Sequence, residues 1–250
     1  MKERIRIRKL YKSYGKNTVL KDLNLDVHAG EILVILGRSG VGKSVLLRQI
    51  IGIEKPDSGS IEVDGMMISS LKKSELYEAV KNMGMLFQSS ALFDSMTIEE
   101  NTAFYLQQHT QLSPLAIARK VEEALTMVGL SGTEQKMPSD LSGGMRKRAG
   151  LARLLAYRPS ILLYDEPTTG LDPITAQQIS ELIVNTQNEL KGTSIVVTHD
   201  LHSALYMADR LALHQDGQIV HLAKPGDFLN IDDPLIRGLR ENLTHVKRKK

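Results

Sequence analysis

The segment Ile32-Leu33-Val34-Ile35-Leu36-Gly37-Arg38-Ser39-Gly40-Val41-Gly42-Lys43-Ser44 decides the fold. Its first five residues are an unbroken apolar run, the pattern of a strand buried on both faces in a parallel sheet. The next eight fit G-x-x-x-x-G-K-[ST], and each fixed position has a chemical reason. The glycines let the backbone turn tightly with its N–H groups directed inward, forming an anion-binding nest at a helix start. Lys43 brings a positive charge to β- and γ-phosphates, and the Ser44 hydroxyl is a ligand for Mg²⁺. A helical pattern from Lys43 to about Ile53 completes a strand–loop–helix unit. Gly37, Arg38, Ser39, Gly40, Val41, Gly42, Lys43 and Ser44 therefore read as a nucleotide-phosphate cradle.

Working outward, Ile5 and Ile7 alternate with arginines, and Leu23, Leu25 and Val27 alternate with polar residues. Both are period-two patterns of half-buried antiparallel strands. A turn at Pro56-Asp57-Ser58-Gly59 precedes a strand around Ile61 and Val63. From about residue 92 to 157 the character becomes helical. Thr97-Ile98-Glu99-Glu100 is a capping box, and Ser113-Pro114 pairs an N-cap with proline at the first helical position. Asp172-Pro173 opens a long amphipathic helix, Ser194–Val197 is another buried strand, and Asp216-Gly217 predicts a hairpin. The expected fold is an α/β nucleotide-binding core with an antiparallel β subdomain and a helical insert at about residues 90–140. The core spans about residues 1–230, and about 231–250 form a weakly patterned C-terminal extension with a basic tail.

The 250-residue length is ample for one buried core. No apolar run approaches the roughly 18 residues of a membrane span, and Met1-Lys2-Glu3-Arg4 leads into no signal-type stretch. Any membrane role is thus expected to come through a partner. There are no cysteines, which excludes disulfides and thiolate metal sites and favours a reducing compartment. The net charge of +3 is smaller than the charge of Lys247-Arg248-Lys249-Lys250 alone, so the remaining chain is slightly acidic. With 4% aromatic residues and no tryptophan, a nucleic-acid surface of basic and stacking groups is not expected.

A phosphate cradle needs an acidic partner at the end of another buried strand. Ile161-Leu162-Leu163-Tyr164-Asp165-Glu166 supplies it. Asp165 is placed for the magnesium side, and Glu166, one residue on and aimed differently, for polarising a water that attacks the γ-phosphorus.

Together with Leu141-Ser142-Gly143-Gly144-Met145 upstream of Glu166, these motifs make the chain resemble the nucleotide-binding subunit of an ABC transporter, from about Ile5 to Val220. The resemblance implies that Tyr14 stacks on adenine. It also implies that Gln88 belongs to the magnesium-sensing glutamine loop, that Gly170-Leu171-Asp172 is the D-loop, and that His199 is the switch histidine contacting the γ-phosphate. Ser142, Gly143 and Gly144 begin a helix rich in Arg146, Lys147 and Arg148, and a helix start with bare N–H groups attracts anions. In the resembled family this element meets ATP held by the cradle of a second subunit, so a homodimer is implied. Met145 departs from the usual glutamine there, which leaves the backbone donors intact.

Three stretches narrow the resemblance: Leu86–Thr97, the Met145 variant with its basic residues, and Leu163–Pro173. They look like the ATPases of Mla-type systems, which pair an ATPase with an integral-membrane permease and an MCE-type lipid-binding protein to move phospholipid between bacterial envelope membranes. The resemblance implies ATP and Mg²⁺ as cofactors and a place on the cytoplasmic face of the inner membrane. Leu92, Phe93 and Met96 would either line a permease groove or belong to the core of the insert. The basic tail is either solvated or in contact with anionic head groups. Three rivals stay open: an ABC transporter ATPase for another substrate, a soluble ABC ATPase, and a scaffold that binds ATP only to assemble. No sustained heptads of the DNA-repair type occur between Lys43 and Ser142, and a scaffold would not need Glu166.

Overall fold

The computed structural model describes residues 2–247, apart from the side chains of Lys73 and of residues 242–247. It forms two compact units, one comprising the residues up to Val80 with those from Thr193 onward, the other Lys81–Gly192.

In chain order the first unit opens with β1 (Glu3–Tyr14), β2 (Asn17–His28) and β3 (Ile32–Leu36). Next come α1 (Lys43–Ile50), β4 (Ser58–Val63), β5 (Met66–Met67) and α2 (Lys73–Val80). The second unit holds β6 (Met83–Leu86), α3 (Ile98–His109), α4 (Pro114–Met127), α5 (Gly143–Leu155), β7 (Ile161–Asp165) and α6 (Pro173–Leu190). The chain then returns to the first unit with β8 (Thr193–Thr198), α7 (Leu201–Met207), β9 (Arg210–Gln215) and β10 (Gln218–Ala223). It closes with α8 (Pro225–Phe228) and α9 (Pro234–Lys247).

The alternation in β1 and β2 is realised as an antiparallel pair, Ile5 against Val27 and Ile7 against Leu25, within a sheet ordered β2-β1-β4-β5. Ile5, Ile7, Leu10, Leu20, Leu23, Leu25 and Val27 are buried. Each such side chain contributes about 1.5–3 kcal/mol relative to exposure. In the same unit β3 lies between β8 and β9, parallel to both. All five β3 residues are buried, as their unbroken apolar run requires. Glu31, just before β3, takes a two-pronged hydrogen bond from Arg210 at 2.7 and 2.8 Å. The Ile32 N–H donates to Asp209 at 2.8 Å. These bonds set the start of β3 level with the start of β9. The β9–β10 hairpin turns through Asp216 and Gly217 with φ of 48° and 83°, the pair of positive values that a type I′ turn needs.

In the second unit β6 and β7 run parallel. The capping box at Thr97 and Glu100 is complete, and Ser113 and Asp172 cap α4 and α6 as their sequences predict. Gly84 lies against Leu154 and Tyr157, where a Cβ would come within 2.2 Å of Leu154 Cδ1. That contact brings α5 onto the back of β6.

The weakly patterned region after Asn230 contains a helix, α9. Asp233 accepts hydrogen bonds from the N–H groups of Leu235 and Ile236 at 2.8 and 3.3 Å, and Pro234 opens the helix. This is the same aspartate–proline start found at Asp172-Pro173. Arg248, Lys249 and Lys250 of the basic tail lie outside the described residues, as does the side chain of Lys247. No helix among the described residues is long and apolar enough to cross a membrane.

Candidate nucleotide site

The cradle leaves the C-terminal end of β3, where Leu36 pairs with Thr198 of β8 on one side and Leu213 of β9 on the other. Ligands of open α/β sheets bind beyond these carboxyl ends. Gly37 has no room for a side chain, since a Cβ would sit 2.7 Å from the His214 carbonyl oxygen. Gly42 is left-handed at φ 103°, and a Cβ there would meet Val19 Cγ1 at 2.5 Å. The loop path is thus fixed by the packing behind it. Arg38, Ser39 and Gly40 stay exposed at its crest. Gly42 has no side chain to cap α1, and the first turn of α1 carries no acidic residue to offset its positive end. Lys43 is only 4% exposed, and its ammonium donates to the carbonyls of Gly37 and Arg38 at 2.8 and 2.9 Å. The charge is folded across the concave side of its own loop. Ser44 follows it at the start of α1 and is half-buried.

His199 is exposed and comes directly after Thr198, so the register of β3 and β8 places it beside the start of the cradle. Its neighbour Asp200 caps α7 through the N–H groups of His202 and Ser203, both at 3.1 Å. Tyr14, at the end of β1, is 46% exposed. Its hydroxyl donates to the Glu54 carboxylate, which also takes Arg48 of α1 at 3.3 Å. This bond to Glu54 is the main reason the Tyr14 hydroxyl is pushed up to about 12. The anchoring leaves the ring partly exposed, with the Lys12 ammonium over it at 5.6 Å from the centroid.

His214, behind Gly37, was not singled out by the sequence. It is 1% exposed, and neither ring nitrogen has a protein hydrogen-bond partner. Burial, aided by the Lys43 charge, lowers its pKa to about 4. The unfolded chain, at about 6.5, therefore takes up this proton first. Stability must fall as the pH drops from about 6.5 towards 4, by about 3 kcal/mol in full. A His214→Leu variant is expected to flatten this part of the stability profile. Urea midpoints measured between pH 7 and 4.5 check it, and an unchanged slope would rule His214 out.

In the second unit β6 and β7 end side by side at the pair Leu86–Tyr164. Gln88 and the acids Asp165 and Glu166 thus leave adjacent strand ends. Gln88 is exposed, whereas Asp165 and Glu166 are 4% and 7% exposed. Glu166 is left-handed at φ 48°, a conformation that costs a non-glycine residue roughly 1–2 kcal/mol. The Thr169 hydroxyl donates to its carboxylate at 2.9 Å. Asp22, Asp64 and Asp216 share this backbone conformation, so it is the burial of Glu166 beside Asp165 that sets it apart.

Ser142 caps α5, accepting the Met145 N–H at 3.3 Å, and Ser142 and Gly143 are exposed. Gly144 is required by the fold, because a Cβ would lie 2.5 Å from Thr175 Cγ2. Gly143 is not, since a Cβ would meet only Leu171 Cδ2 at an ordinary 3.8 Å. Its bare backbone faces outward, available for close approach by a ligand. The three basic residues near the start of α5 do not form one anion-attracting patch. Arg146 is exposed and donates to the Leu141 carbonyl at 2.7 Å, while Arg148 reaches the Val128 carbonyl and Gln178. Lys147 turns inward, 6% exposed, and donates to the backbone carbonyls of Gln88 and Glu166. Burial lowers its pKa, opposed by the charges of Asp165 and Glu166.

Asp172 accepts from the N–H groups of Ile174 and Thr175 and from the Thr175 hydroxyl. The Thr175 bonds chiefly hold its carboxyl below the usual range. Leu92 and Met96 are half-buried and Phe93 is 41% exposed, so the loop they share presents them partly to solvent. Asn101 of α3, a residue the sequence did not flag, is fully buried under this loop. Its amide donates to the carbonyls of Phe93, Met96 and Thr97, and its oxygen accepts the Phe93 N–H.

Gln88 and Asp165, at the adjoining ends of β6 and β7, offer oxygen donors of the kind a hard dication prefers, and so, in the first unit, does Ser44. Among the described residues no group of three or more His, Cys, Asp or Glu could hold a metal by itself. Oxygen donors of this kind suit a hard dication such as Mg²⁺ that arrives with a nucleotide and completes its shell with phosphates and water.

A glycine-fixed cradle with a buried lysine, acids at a parallel strand end and an exposed glycine at a capped helix start define an ATP-binding cassette. A family model described as ABC transporter matches residues 20–169, and the chain belongs to this family as an ABC ATPase. It is 43% identical over 216 residues to the "Intermembrane phospholipid transport system ATP-binding protein MlaF" of Haemophilus influenzae, covering 86% of this chain and 82% of that protein. The Escherichia coli K12 protein of the same name is 39% identical, with 92% and 85% covered. The "Probable ribonucleotide transport ATP-binding protein mkl" of Mycobacterium leprae is 42% identical over 93% of this chain, which spans 67% of that relative's length. Against its Mycobacterium tuberculosis counterpart the chain spans 65%. Among solved structures, the dimeric cassette MJ0796 in a post-hydrolysis state with ADP and Pi matches at a TM-score of 0.82 and 31% identity, covering 88% of this chain and 98% of that one. The Clostridium perfringens cbiO1 cassette matches at 0.84 and 29%, covering 98% of both.

Proposed function

We propose that this chain is the ATP-hydrolysing subunit of a bacterial phospholipid transporter, working as a homodimer at the cytoplasmic face of the inner membrane. The observation that carries the chemistry is the pair of buried acids at the end of β7, Asp165 and Glu166, with the Glu166 carboxylate held by the Thr169 hydroxyl. Lys43 and the backbone N–H groups from Gly37 to Ser44 hold the phosphates, and Tyr14 stacks on adenine. Ser44, Gln88 and Asp165 would hold Mg²⁺ brought in with ATP, which would supply charge neutralisation at the phosphates. Glu166 takes the proton of the attacking water, and His199 stabilises the γ-phosphate in the transition state. Ser142, Gly143 and Gly144 meet the ATP held by the second copy, so that each subunit completes its neighbour's site.

About residues 1–230 act as the ATPase domain, and about 231–250 as its C-terminal extension. The helical insert at about 90–140 carries the motion to an integral-membrane permease, with Leu92, Phe93 and Met96 in the contact and an MCE-type protein as the lipid carrier. The MlaF relatives support phospholipid as the cargo, whereas the mycobacterial relatives are named for ribonucleotide transport. The complex recovered from membranes through this chain should contain permease and MCE-type subunits with bound phospholipid. Recovery of a ribonucleotide-binding partner without lipid would overturn the cargo, and recovery of no membrane protein would overturn the transporter.

A further inference from the structure

Lys147 is a charged side chain in the interior of the second unit, and its donors do not go to a carboxylate. Its ammonium bonds to the backbone carbonyl of Gln88 and, at 3.4 Å, to that of Glu166. It therefore ties together the two loops that leave β6 and β7. Gln88 and Glu166 stand at the starts of these loops, and the backbone pairing between their strands ends at Leu86–Tyr164. Beyond that pair the Lys147 bridge continues the link between them. Gly143 and Lys147 are four residues apart on α5, on the same face of the helix one turn apart. One rigid element thus carries the exposed glycine at its tip and the buried clip one turn below.

We propose that Lys147 is a positioning residue that locks the glutamine loop to the peptide of Glu166, so that the seating of α5 sets the direction of the catalytic carboxylate. This rests on the assignment of Glu166 as the group that activates water. The left-handed backbone of Glu166 presents its carbonyl to Lys147, while Thr169 holds its carboxylate. The Thr169 N–H also donates to this carbonyl at 3.3 Å. Loss of the Lys147 bond cuts the tie to α5 and the glutamine loop while the local turn persists, and the carboxylate shifts with the loosened peptide. A displacement of about 1 Å in such a group costs up to about 100-fold in rate. The same clip makes the two ATP sites of a dimer interdependent. A push on Ser142-Gly143 by nucleotide on the second copy moves α5, and α5 moves Gln88 and Glu166 of its own subunit.

The test compares the full chain with its Lys147→Met, Lys147→Arg and Lys147→Gln variants in steady-state ATPase assays, with thermal midpoints measured in parallel. Lys147→Met should lower kcat about 10- to 100-fold with KM for ATP within about twofold, and should remove cooperativity in ATP. Lys147→Arg, which keeps several donors, should recover most of kcat. Lys147→Gln, with a single amide able to reach one carbonyl, should fall between. A wild-type kcat in Lys147→Met overturns the proposal, as does a loss that follows only the folded fraction or appears in KM. If the methionine variant does not fold, the order arginine above glutamine in kcat at equal KM decides; equal rates for the two overturn it. Glu166→Gln is run alongside. If that variant hydrolyses ATP normally, the assignment of Glu166 fails, whereas an inactive Glu166→Gln beside a normal Lys147→Met sinks the clip alone.

Discussion

Glu166→Gln is expected to lower ATP turnover by about 10²–10⁴-fold, the range for loss of a general base, while ATP binds as before. The amide matches the carboxylate in shape and still accepts the Thr169 hydroxyl, which is 2.9 Å from Oε2. It cannot take a proton from water. The left-handed backbone at 166 is undisturbed, because the substitution changes no atom before the end of the side chain. With hydrolysis stopped and binding kept, the two-chain ATP-bound form should accumulate. Size-exclusion chromatography with Mg-ATP reads it directly as a shift to twice the mass. Near-normal turnover in this variant would remove Glu166 from the chemistry.

Lys43→Ala is expected to weaken ATP binding itself, by about 100-fold or more. The lysine offers charge-assisted hydrogen bonds worth about 1.5–3 kcal/mol each, and about 1.4 kcal/mol is tenfold in affinity. Removing two such bonds to the β- and γ-phosphates suffices for the expected drop. The variant also removes the donor to the Gly37 and Arg38 carbonyls, so the loop loses its inner brace as well as its charge. The cleanest check is the rise in thermal midpoint on adding nucleotide. Saturation at 100 times Kd stabilises a protein by about 2.7 kcal/mol, and the alanine variant should show almost none of that at the same concentration. An equal rise in both proteins would refute the cradle assignment.

How much of this was legible in the sequence depends on whether the deciding interaction is local. The cradle, the boxed start of α3, the proline starts of α4 and α6 and the Asp216-Gly217 turn all appear where their residues predict. In each, a side chain satisfies backbone groups two or three residues away, or a special φ is needed at a fixed position. The order of the motifs brought the family with it. Asp233-Pro234 carries the same local signal, and Leu235, Ile236, Leu239, Leu243 and Val246 follow it at helical spacing, so α9 too is legible in the sequence. β6 was hidden. It is four residues long and contains Gly84, whose need is set by Leu154 and Tyr157 some seventy positions on. Lys147 stands between two arginines in the chain, which reads as a solvated cationic face. Only the seating of α5 against the strand ends determines that the middle one turns inward. His214 was invisible similarly, since nothing in Leu213-His214-Gln215 says that a glycine loop will press against its carbonyl.

The amide of Asn101 has a mechanical consequence. By stapling the Phe93–Thr97 turn from beneath with four hydrogen bonds, it makes that turn a stiff anvil rather than a cushion. A partner helix seated there would find the ordering cost already met when the chain folded. A displacement delivered on either side would be transmitted at full stroke instead of being lost in loop wobble.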